Sequence, residues 1–287
     1  MINWPINYDL SWTLAGSVEY DGIGLHTGER SKVRLGPSLQ QGFWLGWIDE
    51  PKRPLIRLHP AYVAATMLCT SLRIGHRHLY TVEHLLAALA GCGVTHAEIR
   101  VQGSEIPLLD GSALPWVEAI ANIGLQQLGP RSKLNLPKLP YTLRRDQSFV
   151  VMLPSEQLQL SAAVDFPQAA IGQQFISFDL TPQLFVDEIA PARTFGFREQ
   201  IEQLKSADLI KGGALDNALV CDGSRWLNPP LRFADEPVRH KLLDLLGDLA
   251  LVGLPQAHVF AYRGSHSLHT AFTAAIAQQQ TINAVAA

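Results

Sequence analysis

Val82-Glu83-His84-Leu85-Leu86 and Val238-Arg239-His240-Lys241-Leu242-Leu243 are the two stretches whose likeness decides the fold. Each opens an apolar segment that reads as a helix. The first segment, 82–90, is closed by Gly91 and followed by a strand at 97–101, a turn and a second helix at about 113–123. The second, 238–249, is followed by Gly253, a strand at 257–262 and a terminal helix from about 268 to 279. Recurrence in this order means two copies of one α/β unit. The expected fold is α+β: two similar α/β domains, each a mostly antiparallel sheet backed by helices. Packed helix layer to helix layer, they form a four-layer β-α-α-β sandwich and bring His84 and His240 to one interface.

Within 238–249, Leu242, Leu245, Leu246 and Leu249 recur at helical spacing. His240 and Asp244 lie four residues apart, so they share a face one turn apart. Asp248 is one turn further on, about 12 Å along the axis from His240 at ~1.5 Å rise per residue. That suits an outer partner better than a shared ligand. A salt-bridged surface helix would explain His-x-x-x-Asp alone. The repeat shifts the balance, because it adds His84 at the equivalent helix start. His84, His240 and Asp244 then supply three ligands and leave a fourth position open, the pattern of catalytic rather than structural zinc.

Composition narrows the alternatives. With 287 residues the natural prior is two domains, and 47% hydrophobic residues are ample for real cores. The net charge of -3 and the lack of a basic run argue against a nucleic-acid partner. Residues 1–12 carry neither a basic nor an apolar leader region, and no apolar run approaches the roughly 20 residues of a membrane span. A cytoplasmic, soluble protein without stable membrane insertion is expected, and a monomer. Cys69, Cys92 and Cys221 are odd in number and form no CxxC pair, so free thiols are expected and any metal must use His and carboxylate. Ten histidines supply the candidates.

The remaining elements follow from turn signals and alternation. Residues 13–35 read as two strands joined by a Gly-rich turn that carries His26. Strands at 42–48 and 55–58, an apolar segment at 64–74 and a polar turn with His76 and His78 follow. Thr81 reads as the N-cap of 82–90, with Glu83 and His84 in the first turn. Asp110-Gly111-Ser112 caps the next helix. The first domain covers 1–128. Pro- and Gly-bearing 129–140 reads as a linker, and 141–287 as the second domain. Its strands are placed at 141–145, 149–153, 157–164, 174–179 and 218–221. Residues 191–197 read as a loop, and 199–206 as a short helix.

Four ordered motifs carry a resemblance. They are Thr81-Val82-Glu83-His84-Leu85-Leu86-Ala87-Ala88-Leu89-Ala90-Gly91, Ile106-Pro107-Leu108-Leu109-Asp110-Gly111-Ser112, Ala192-Arg193-Thr194-Phe195-Gly196-Phe197 and Val238-Arg239-His240-Lys241-Leu242-Leu243-Asp244. Together they resemble the UDP-3-O-acyl-N-acetylglucosamine deacetylase family, the zinc amidases of lipid A and lipopolysaccharide biosynthesis, from about Gly16 to Ala277. The resemblance implies two α/β domains of similar topology with the active site between their helix layers. It implies a Zn2+ cofactor on His84, His240 and Asp244, with Glu83 as general base. It also implies Thr194 at the oxyanion, and His266 as the cationic partner at the leaving group with Asp248 behind it. Lys241 and Phe195 would line the substrate site, Asp165, Phe166 and Arg263 would lie at the nucleotide, and 198–213 would build an acyl-chain passage. The substrate would be an acylated UDP-GlcNAc.

One motif departs. The family pattern near the C-terminus is Gly-His-x-Leu-Asn, whereas this chain has Ser265-His266-Ser267-Leu268-His269. His269 therefore rivals His266 for the place opposite Asp248. His266 is expected there because it follows the strand at 257–262 directly, and His269 is expected one turn along, partly solvated. The proton for the leaving amine is open between His266 and Glu83. Two other readings stand beside the deacetylase: a metal amidase or esterase of another substrate, and a non-catalytic UDP-sugar or acyl-chain binding protein.

Overall fold

The structure is a computed structural model that describes residues 3–285. The N-terminal half starts with three strands: β1 (Leu10–Leu14), β2 (Val18–Ile23) and β3 (Arg30–Pro37). β4 (Gly42–Trp47) and β5 (Ile56–Arg57) come next. A small hairpin sheet of β6 (Val63–Ala65), β7 (Ser71–Ile74) and β8 (Arg77–Leu79) precedes α1 (Glu83–Gly91). β9 (His96–Gln102), α2 (Leu114–Ile123) and β10 (Leu125–Pro130) complete this half. Its seven-stranded sheet has the order β10-β1-β9-β3-β2, with β4 also on β9 and β5 on β4. Most pairs are antiparallel. β9 runs parallel to β1 and β4, the neighbours reached by longer connections.

Residues 131–140 carry no strand or helix. The second large sheet is built from β11 (Tyr141–Arg145), β12 (Ser148–Leu153), β13 (Gln159–Asp165) and β14 (Gln173–Asp179). A short helical turn, α3 (Pro182–Leu184), leads into the loop at 190–194. β15 (Phe195–Phe197), α4 (Arg198–Ser206), β16 (Leu219–Asp222) and β17 (Arg225–Trp226) follow. Then come α5 (Glu236–Leu249), β18 (His258–Tyr262) and α6 (His266–Val285). The order is β11-β12-β18-β13-β14, and only β13 and β18 run parallel.

The fold is thus the expected mixture of mostly antiparallel sheets backed by helices, and the helices of the two halves meet. α1 packs on α5, α5 on β13 and α6, and α6 on β11 and β12. α1 is buried along its whole length, because Glu83-His84-Leu85-Leu86-Ala87-Ala88-Leu89-Ala90-Gly91 has a layer on either side. A helix apolar all round belongs between layers. Gly247 sets the spacing. A Cβ there would lie 2.1 Å from the carbonyl oxygen of Glu83, so only a glycine lets α5 approach α1 this closely.

Four local expectations are corrected. Residues 13–35 hold the end of β1 as well as β2 and β3, because β1 begins at Leu10 with only partial alternation of buried residues. The apolar stretch 64–74 is a hairpin whose tip exposes Met67 at 67%. Residues 125–130, for which no strand is expected because Gln126, Gln127 and Gly129 give no strand pattern, form β10. Thr81 does not cap α1. It sits at φ 60, and its hydroxyl donates to Glu105 Oε1 at 2.8 Å.

Candidate active site

α1 and α5 place three buried side chains together. His84 and His240 are 4% and 2% exposed, and their rings meet edge to face with centroids 5.0 Å apart. Asp244, also buried, puts Oδ1 3.4 Å from His240 Nε2 and 3.8 Å from His84 Nε2. One donor atom from each of the three lies within 4.8 Å of the others. His240 Nδ1 is 3.0 Å from the carbonyl oxygen of Ala192. A carbonyl only accepts, so this nitrogen carries the proton and Nε2 keeps its lone pair. Burial, joined for His84 by the charge of His240, pushes His84 down to about 3; burial also lowers His240. Both imidazoles are therefore neutral near pH 7, the form that binds metal. Asp244 Oδ1 has no hydrogen-bond partner despite its burial. An orphaned carboxylate oxygen facing two imidazole nitrogens is a donor set that fits a zinc ion. Burial opposes ionisation of Asp244, but Lys241 and the histidines hold its carboxyl well below the usual range. Lys241 Nζ donates to the other carboxylate oxygen at 2.9 Å.

Glu83 and His266 flank this group. Glu83 is 2% exposed, and its Oε2 accepts the backbone N–H of Thr70 at 3.0 Å. Burial raises its carboxyl to about 8, with Asp244 and Asp248 adding to the rise against the pull of His266. His266 Nε2 lies 3.9 Å from Glu83 Oε1 and 3.8 Å from Asp244 Oδ2. Its Nδ1 lies 3.0 Å from Asp248 Oδ2. Burial works against a charged imidazole, yet Asp248, Asp244 and Glu83 outweigh it and raise His266 to about 9. Asp248 is fully buried, and its Oδ1 accepts the Thr70 hydroxyl at 2.5 Å.

His269 departs from expectation. It is 1% exposed, and its Nδ1 lies 3.1 Å from Asp248 Oδ2, the same oxygen that holds His266. The cause is the start of α6 at His266 rather than further along the chain. On a helix, positions three apart share a face.

A cavity of about 550 Å³ opens over these groups. Glu83, His84, Thr194, Phe195, His240, Lys241, Asp244, His266 and Phe166 all line it. Lys241 Nζ sits 5.5 Å from the Phe195 ring centroid, a cation–π contact, and Phe166 packs edge-on against Phe195 at 5.6 Å. Two expected nucleotide contacts lie outside the lining. Asp165 accepts the Tyr262 hydroxyl at 3.3 Å, and Arg263 donates to Gln147 Oε1 at 2.9 Å. Ile201, Leu204 and Ile210 give one wall of the cavity an apolar face. Leu25, Leu68 and Cys69 join it from the N-terminal half, a contribution the sequence reading missed. His26 was missed too. It lines the cavity at 5% exposure, and neither ring nitrogen has a hydrogen-bond partner. Its backbone is pinned by Glu105, which accepts the N–H of His26 at 2.9 Å and of Thr27 at 2.8 Å. Pairing between 24–28 and Glu105 is long-range, so no local pattern signals it. Cys69, Cys92 and Cys221 are free, as expected, and all three are buried.

Residues 11–278 match the family model described as UDP-3-O-acyl N-acetylglycosamine deacetylase. The chain belongs to this family. A relative from Thermosynechococcus vestitus, named UDP-3-O-acyl-N-acetylglucosamine deacetylase, is 49% identical over 271 residues, covering 93% of this chain and 94% of its own. One of the same name from Synechocystis sp. is 46% identical over 272 residues, covering 92% and 98%. An Arabidopsis thaliana relative, named as a probable mitochondrial deacetylase of this kind, is 39% identical over 283 residues, covering 91% and 86%. Among the described residues, no helix is long and apolar enough to cross a membrane.

Proposed function

We propose that this protein hydrolyses the acetamide of UDP-3-O-acyl-N-acetylglucosamine, releasing acetate and a free amine in an early step of lipid A biosynthesis. The single observation that carries the reading is the meeting of His84, His240 and Asp244 beneath an apolar-walled cavity, with Glu83 and His266 on either side. His84, His240 and Asp244 would hold Zn2+, which when bound polarises a carbonyl and makes a water acidic near neutral pH. Glu83 takes the proton of the attacking water as that oxygen bonds to the acetamide carbon. Its high carboxyl pKa is a property of the metal-free site, and a neighbouring cation favours the ionised form that a base requires. Thr194 presents its hydroxyl to the developing oxyanion. As the C–N bond breaks, the amine takes a proton from His266. Two features support His266 in that role: Nε2 faces Glu83 and Asp244, and Nδ1–H is engaged by Asp248, so the mobile proton is the one on Nε2.

Lys241 and Phe195 form the wall on which the sugar rests, and Phe166 extends it toward the nucleotide. The apolar side chains of α4 and the residues after it receive the acyl chain. The divisions 1–128, 129–140 and 141–287 serve as two domains and their connection, with the site between them. The test is acetate release from UDP-3-O-acyl-GlcNAc by purified protein, before and after metal removal. Turnover that requires both the UDP-sugar substrate and the metal supports the reading. Turnover indifferent to the UDP group would assign another amide substrate, and none at all would leave a binding protein.

A further inference from the structure

We infer that Glu236 is a positioning residue for His240 and Thr194, acting through one peptide group. The inference rests on the reading of His240 as a metal ligand. His240 Nδ1 donates to the carbonyl oxygen of Ala192 at 3.0 Å. The N–H of Arg193 donates to Glu236 Oε1 at 3.0 Å. That carbonyl and that N–H belong to the same peptide, whose atoms share a plane. Glu236 and His240 stand four apart on α5, so they lie on one face, one turn apart. A single helix face therefore grips both ends of one loop peptide.

Residues 192–194 belong to no strand or helix, and the Ala192 N–H is tied back to the Ile189 carbonyl at 3.0 Å. Further fixings come from elsewhere. Glu236, fully buried, also accepts Arg193 Nε at 2.9 Å and Nη2 at 3.2 Å, and the backbone N–H of Arg232 at 2.7 Å. Arg232 in turn donates to the Pro191 carbonyl at 2.8 Å and to Asp110 Oδ2 at 2.8 Å. Thr194, one residue beyond the clamped peptide, donates its N–H to the Gly111 carbonyl at 2.7 Å. Rotating the 192–193 peptide would turn the carbonyl away from His240 and swing Thr194 off the cavity. The partner of a ligating histidine's second nitrogen fixes ring orientation and tautomer, and losing such a partner costs metal affinity. Glu236 holds that partner in place. It lies outside the cavity lining.

The test is zinc affinity by chelator competition on metal-stripped protein, with thermal unfolding of the same samples. Glu236→Gln preserves volume but presents an NH2 group where a second acceptor is needed. It is expected to bind zinc ~10-fold to 100-fold more weakly than wild type. Glu236→Asp keeps the charge beside Arg193 but draws it back from the peptide N–H, and it moves in the same direction. It supplies the reading if Glu236→Gln does not fold. His240→Ala, run alongside, loses zinc. A folded Glu236 variant with wild-type zinc affinity, whatever its unfolding temperature, overturns the inference while the loss in His240→Ala stands. Retention of zinc by His240→Ala overturns instead the ligand reading on which the inference rests.

Discussion

His269 shares with His266 a single oxygen of Asp248: the two Nδ1 atoms lie 3.1 and 3.0 Å from Oδ2. An ionised carboxylate only accepts, so both rings donate from Nδ1. The rings differ at their other nitrogen. His266 Nε2 faces Glu83 and Asp244, whereas His269 Nε2 is buried without a partner, packed against Gly264. One ring therefore lines the cavity and the other lies behind it. His266→Ala is expected to lower kcat by about 10²-fold or more, as for loss of a positioned acid. His269→Ala is expected to act mainly on stability, by roughly 1–3 kcal/mol for a buried hydrogen bond left unmade. Steady-state kinetics and urea unfolding of both variants check this, and the opposite ranking would reassign the acid.

The metal-free protein should lose stability as pH rises. His266 is raised from 6.5 to about 9, so its contribution is complete below pH 6.5 and is lost as pH climbs through 9. Glu83 is raised from 4.5 to about 8 by burial, so it acts in the same direction, its contribution fading as pH climbs through 8. Unfolding of metal-free wild type and Asp248→Asn between pH 6 and 10 reads this out. The variant lacks the charge that favours His266 as a cation, and its slope should be shallower. A steeper slope, or stability rising with pH, contradicts the assignment.

Glu83→Gln separates the base from the fold. The amide cannot take a proton from water, so turnover should fall by about 10²-fold or more. At pH 9, where wild type must bury a carboxylate, the metal-free variant should be the more stable of the two. Zinc content should be unchanged. A variant with a near-normal rate would pass the base role to another residue.

Gly247→Ala tests the spacing of the helix layers. Its Cβ would stand 2.1 Å from the Glu83 carbonyl oxygen, a backbone atom that cannot yield without moving α1. Overpacking of this kind costs typically about 1–3 kcal/mol. The variant should unfold at lower temperature and bind zinc less tightly, because His84 and His240 sit on the two helices pushed apart. Wild-type stability and metal affinity together would mean that the approach of α1 to α5 does not set the site.

What the sequence made legible follows from which signals are local. His240 and Asp244 were readable because helical spacing alone puts them on one face. His84 entered through the repeated helix start, and the two histidines do meet. The catalytic roles proposed for Glu83, His266 and Thr194 rest on the resemblance to the family, since a carboxylate in a first helical turn is ordinary in itself. Two features stayed hidden because they depend on contacts far apart in the chain: Glu105 pins the backbone of His26 at the cavity, and Glu236 accepts the N–H of Arg193 in the peptide whose carbonyl meets His240. Leu68 stayed hidden because it sits at the tip of the β6–β7 hairpin, which the sequence pattern did not signal. The burial of His269 was missed for a smaller reason: α6 begins at His266, and that start decides which side chains face inward.

The most direct measurement is metal content and acetate release from UDP-3-O-acyl-GlcNAc in the same samples of wild type and His240→Ala. The account predicts one zinc per wild-type chain with turnover, and a folded His240→Ala that has lost both. A His240→Ala protein that keeps its zinc, or that turns over substrate at the wild-type rate, would contradict it.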